Sequence, residues 1–152
     1  MATRTREPRI LILGTLSGGY AGADSTGQSR LEYPPNTYIL PVMSPVLFPP
    51  DFYIRAFENG IDGIIVMYSG TDSPYKVEAD GTARLINGTY AMMKERGLDV
   101  RRLKLTAICT VCVKPFLKEV NQMNGVLQEI GPARNELAAH KQGSTVEEQT
   151  HG

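Results

Sequence analysis

The chain has 152 residues, enough for one domain that buries a core without disulfide or metal staples. Its 16 Lys+Arg balance its 16 Asp+Glu, so it carries no basic footprint for nucleic acid. No apolar run approaches the roughly 20 residues that cross a bilayer, and the short run after the polar start is no signal peptide, so a cytoplasmic location is expected.

In chain order, the first element is an apolar run at 9–13 (RILIL), ended by Gly14. A short helix is expected over 23–32, closed by Tyr33-Pro34-Pro35, because proline cannot continue a helix. A second apolar run follows at 37–43 (TYILPVM). Residues 50–58 (PDFYIRAFE) place Phe52, Ile54, Ala56 and Phe57 near one helical face, with proline at the start and Asn59-Gly60 at the end. The third run is 63–68 (GIIVMY), and a helix over 79–96 carries Leu85, Ile86, Ala91, Met92 and Met93 up to Gly97. The fourth run is 103–109 (LKLTAIC). It leads to a helix over 115–130, with Phe116, Leu117, Val120, Met123, Val126, Leu127 and Ile130 as a buried stripe. Gly125 weakens that helix by about 1 kcal/mol relative to alanine.

Short continuous apolar runs suit strands covered on both faces. Their alternation with helices predicts an α/β fold with four parallel strands, right-handed crossovers and helices on both faces, flavodoxin-like or Rossmann-like. One domain over 9–132 is expected. Residues 133–152 read as a polar tail, partly disordered, with 135–140 adding at most a helical turn.

In such a sheet the ligand edge lies beyond the carboxyl ends of the strands. That edge would gather the loops 14–22, 44–49, 69–75 and 109–114. The glycines of the first, Gly14, Gly18, Gly19 and Gly22, suit a tight strand-to-helix turn. They would also let backbone N–H groups approach a phosphate. The absence of a following Gly-Lys-Ser/Thr favours the turn. In the third loop Ser69, Asp72 and Ser73 read as turn residues. The fourth holds Cys109 and Cys112, the only cysteines, spaced for a reversible dithiol and supplying half the ligands of a 2Fe–2S cluster. Buried apolar packing is the competing account of both thiols. The two histidines, His140 and His151, fall in the polar tail, so neither a conventional hydrolytic triad nor a histidine metal site is expected.

Tyr20-Ala21-Gly22-Ala23-Asp24, followed by Ser29-Arg30-Leu31-Glu32-Tyr33-Pro34-Pro35, has no generic folding explanation. This block resembles the signature of the delta (iron–sulfur) subunit family of methyl-viologen-reducing hydrogenase. Val42-Met43, then Ala56-Phe57 with Gly60, Asp62 and Gly63, continue the match, which covers about residues 9–120. The resemblance implies a subunit that passes electrons to a heterodisulfide-reductase-type flavoprotein through a 2Fe–2S cluster held by loop cysteines. Here the implied ligand positions carry Gly14, Thr15, Gly18, Ser44, Ser69 and Ser73 instead. Hydroxyls are poor replacements for thiolates on iron, and glycine offers no ligand. No cluster is therefore expected in this chain. The expected function is a cluster-less adaptor in an electron-transfer complex, with flavin and iron–sulfur subunits as partners. Tyr20, Asp24, Arg30 and Tyr33 would supply partner or loop contacts. The alternatives are an active carrier using Cys109 and Cys112 or a cluster, and a flavin- or phosphate-binding module.

Overall fold

The computed structural model describes residues 7–15, 36–68, 76–107 and 113–150, with the side chains of 76–79, 113 and 144–150 excepted. Four strands, β1 (Ile10–Thr15), β2 (Thr37–Val42), β3 (Gly63–Tyr68) and β4 (Leu103–Ala107), form one sheet in the order β2-β1-β3-β4. Every pairing is parallel, so the chain leaves all four strands on the same edge. The helices are α1 (Pro50–Glu58), α2 (Lys76–Glu95), α3 (Val113–Ile130) and α4 (Ala133–Thr150).

The expected three-layer α/β architecture is present. On one face Leu13, Ile64, Val66 and Leu103 pack with Tyr53 and Phe57 of α1, Ile86 and Met93 of α2, and Ala133 of α4. On the other, Ile10, Ile12, Ile65 and Met67 meet Phe116, Val120, Met123 and Leu127 of α3. Side chains alternate across a strand, so β1 and β3, flanked on both sides, are buried almost throughout. This two-sided cover explains why they read as unbroken apolar runs rather than as alternating ones.

Several boundaries move from where the sequence put them. β1 runs on through Gly14 and Thr15, because Gly14 pairs with both Pro41 and Met67. These two residues belong to the sheet, not to the loop. The described part of β4 is Leu103–Ala107, and α2 and α3 already include Lys76 and Val113, ahead of where the sequence placed their starts. The helix expected over 23–32 lies outside the described residues. The larger difference is α4, which runs from Ala133 to Thr150 where a polar tail was expected. Its start is fastened to the domain. Asp62, just before β3, accepts from the backbone N–H of Ala133 at 3.1 Å and from that of Arg9 at 3.0 Å. A carboxylate at a helix N-terminus also meets the positive end of the helix dipole. One turn on, Glu136 accepts from Arg102 Nε at 2.8 Å and from the Asp99 N–H at 2.8 Å.

Two glycines near Asp62 are set by this geometry. Gly60 closes the turn after α1 at φ +102°, which L side chains rarely adopt. Gly63 faces α3 so closely that a Cβ there would lie 2.6 Å from Leu127 Cδ1 and 2.9 Å from Met123 Sδ. The match at Gly60, Asp62 and Gly63 thus has a folding explanation at the amino edge of the sheet.

Candidate functional site

The carboxyl edge of the sheet is the candidate site, since every crossover departs from it. Three of the sequence-predicted positions are described there. Gly14 lies near the end of the β1 ladder, opposite Pro41. Thr15 follows it, pairs with Val42 and is buried. Ser44 sits two residues past Val42, ahead of a 3-10 turn, Pro45–Leu47, which its side chain does not cap. The Thr15 Oγ1 and Ser44 Oγ atoms are both buried, with no hydrogen-bond partner among the described residues. Adjacent strands thus bring two unspent hydroxyls to one edge. Tyr20, Asp24, Arg30, Tyr33, Gly18, Ser69, Ser73, Cys109 and Cys112 lie outside the described residues.

The chemistry of this edge can be tested against an iron–sulfur cluster. A 2Fe–2S centre takes four thiolates, or two thiolates with two imidazoles. Gly14 supplies no donor, and Thr15 and Ser44 supply neutral hydroxyls. The chain holds two cysteines in all. Of its two histidines, His140 packs over Gly97, with Nδ1 3.3 Å from where a Gly97 Cβ would be. Gly97 precedes β4, so His140 is at the amino edge, a strand's length (roughly 16 Å for five residues) from the carboxyl ends. Among the described residues no three His, Cys, Asp or Glu side chains gather as metal ligands. The residues present do not fit a cluster held by four thiolates of this chain.

The polar centre that the structure does build is at the opposite edge, and sequence reasoning missed it. Arg102 is fully buried; its Nε bonds Glu136 and its Nη1 donates to the Asp62 carbonyl at 3.1 Å. Read in sequence, Arg101-Arg102 before a strand is indistinguishable from surface charge. Arg101 does lie outside, where its guanidinium hydrogen bonds hold the Asp99 carboxyl below its usual pKa. A cleft of about 280 Å³ opens nearby, lined by Glu7, Pro8, Asp62, Leu127, Gln128, Gly131 and Pro132. Of the predicted site residues that are described, Gly14, Thr15 and Ser44, none lines it. These groups tie β1, β3, β4 and α4 together.

The family model for the methyl-viologen-reducing hydrogenase delta subunit matches residues 10–131, from the first residue of β1 to just past α3. The chain is 30% identical over 130 residues to the A subunit of ferredoxin:CoB-CoM heterodisulfide reductase of Methanosarcina mazei, covering 85% of this chain and 16% of that protein. It is 31% identical over 132 residues to the ferredoxin/F420H2-dependent counterpart of Methanosarcina acetivorans, covering 86% and 17%. It is 29% identical over 128 residues to the iron–sulfur D subunit of the vhc F420-non-reducing hydrogenase of Methanococcus voltae, covering 83% and 88%. The chain therefore spans about one sixth of the length of the two reductase relatives and nearly all of the hydrogenase one. No helix among the described residues is long and apolar enough to cross a membrane. With its fold and 122 matched residues (10–131), the chain belongs to the family of the methyl-viologen-reducing hydrogenase delta subunit.

Proposed function

We propose that this chain is a small cytoplasmic subunit of a hydrogenase- or heterodisulfide-reductase-like electron-transfer complex, and that it docks onto a flavin and iron–sulfur subunit without holding a cluster of its own. The relatives are subunits of such oxidoreductases. The observation that carries the adaptor reading is the carboxyl edge. The family frame is kept there, while Gly14, Thr15 and Ser44 stand where the resemblance implies thiolates. Iron bound through alkoxides would require deprotonating hydroxyls at neutral pH, which thiolates avoid. The residues of the signature block, Tyr20, Asp24, Arg30 and Tyr33, then serve loop structure or partner contacts.

Cys109 and Cys112 favour a second reading, an active carrier, because their spacing permits a dithiol or a cluster completed by a neighbouring chain. One experiment separates the two. The complex is purified anaerobically through a tag on this chain, and its iron is assigned to subunits by analysis of the separated chains. The wild-type chain is expected to be colourless and iron-free. The C109S/C112S variant is expected to assemble and to support unchanged electron flux. Iron retained on this chain, or lost flux in a fully assembled variant complex, refutes the adaptor.

A further inference from the structure

Among the described residues four hydroxyl groups are buried without a hydrogen-bond partner: those of Thr15, Thr37, Ser44 and Tyr53. Thr37 pairs with Ile10 at the amino edge. The other three belong to one face and one end of the sheet. Leu11, Leu13 and Thr15 share a face of β1, and Thr15 pairs with Val42. Ser44 is extended, at φ −152° and ψ 132°, and lies two residues past Val42, so it returns to the side of Val42. Leu13 and Val42 pack in one cluster with Tyr53, one turn into α1. That helix runs from the end of β2 back to the start of β3. Long helical side chains lean towards the helix N-terminus, which for Tyr53 is towards the carboxyl edge.

A buried hydroxyl is expensive to leave unbonded, and valine, alanine or phenylalanine would fill the same three places without that cost. Groups of this kind are kept where something outside the fold supplies the missing partner. The burial is deep: Tyr53 is 0% and Thr15 6% exposed, and only Ser44 is half-buried as a residue.

The surroundings decide the sign of that partner. Helices α1, α2 and α3 each follow a strand that ends at the carboxyl edge, so the positive ends of three helix dipoles face it. The described residues 10–15, 36–50 and 63–68 include no Asp or Glu, and the carboxylate next along, Asp51, is exposed. A cation would be repelled by the helix ends. An anion would meet three O–H donors, each free to turn its proton towards it. A phosphate group has the acceptor oxygens to take all three. We propose that Thr15 Oγ1, Ser44 Oγ and Tyr53 Oη are the donors of an oxyanion site that takes a phosphate group, which enters past Ser44. The site needs neither a partner subunit nor a cluster, so it stands apart from the adaptor reading.

The test uses the isolated full chain in buffer free of phosphate and sulfate, titrated calorimetrically with inorganic phosphate, flavin mononucleotide and riboflavin. The phosphate-bearing probes should bind and raise the melting midpoint, and riboflavin should not. Tighter binding of flavin mononucleotide than of inorganic phosphate assigns the site to a mononucleotide, and equal or weaker binding to free phosphate. Tyr53→Phe and Thr15→Val keep the shapes and remove the donors. Each should weaken phosphate binding by at least roughly tenfold, as expected for a lost hydrogen bond to a charged group, while melting no lower than the wild type without ligand. Phosphate affinity that both variants retain would mean an adventitious ion only and overturns the site. So does the absence of binding by either phosphate-bearing probe, or riboflavin bound as tightly as flavin mononucleotide. A ligand-free Tyr53→Phe or Thr15→Val chain that is less stable than the wild type overturns it too, because that hydroxyl would already be spent within the protein.

Discussion

Tyr53 shows how a single side chain can be useful to the core and costly at its tip. Its ring is fully buried on α1, packed at an edge-on angle against Phe52, and its hydroxyl finds no partner among the described residues. Burial pushes its pKa up to about 12 from 10.0, because the phenolate cannot be solvated there. The folded state therefore holds this proton more tightly than the unfolded state. The stability it contributes is complete below pH 10 and is lost as pH climbs towards 12. The loss amounts to about 2–3 kcal/mol for one such group. Tyr53→Phe removes the unpartnered hydroxyl and keeps the ring. It should raise stability at neutral pH by about 1 kcal/mol and flatten the alkaline decline, as read by urea denaturation at about pH 7 and about pH 11. A loss of stability at neutral pH in the variant would show that the hydroxyl is satisfied.

Among the elements, α3 depends most on one contact. Its apolar stripe, Phe116, Val120, Met123 and Leu127, is the described cover for its face of the sheet, and it is seated on Gly63 at the start of β3. The contact is with two side-chain ends, so Gly63→Ala must displace Leu127 and Met123 or push the helix outward. Overpacking of this kind costs about 1–3 kcal/mol. Thermal unfolding should show a lowered midpoint, and L127A should partly rescue it by vacating the space. Simple additivity of the two losses would mean that the helix is free to move. The edge strand β2 differs in kind, since what it leaves open is a surface rather than a seat.

At the scale of the molecule, the amino edge of the sheet is where distant parts of the chain are tied together. Arg102, Asp62 and Glu136 join residues 34 to 40 positions apart and hold α4 to the sheet. The pair is unequal: Arg102 is fully buried, whereas the Glu136 side chain is 22% exposed. Glu136→Ala would strand a buried guanidinium and should cost about 3–5 kcal/mol. Arg102→Met fills the same space with no charge and leaves a glutamate that can reach water, so it should cost less. Denaturant titration of both variants checks the order, and the reverse order would show that Glu136 is not what compensates Arg102.

The strands and the parallel order were legible because runs such as GIIVMY, without alternation, can only be covered on both faces, and the proline and glycine punctuation bounded α1 to the residue. The resemblance at 20–35 and the count of two cysteines in the whole chain were likewise carried by the sequence, since residue identity is a local property. The amino-edge network and the reach of α4 were not. Residues 133–150 have too little apolar content to declare a packed helix, and their docking depends on Asp62 and Arg102, distant in sequence and adjacent only once the sheet has formed. Exposure is also a tertiary quantity: TYILPVM reads as a core strand, and only its place at the rim of the sheet leaves Tyr38 and Leu40 facing water. Hydrophobic period therefore determined the frame, while the strand order decided which apolar side chains are core and which are surface.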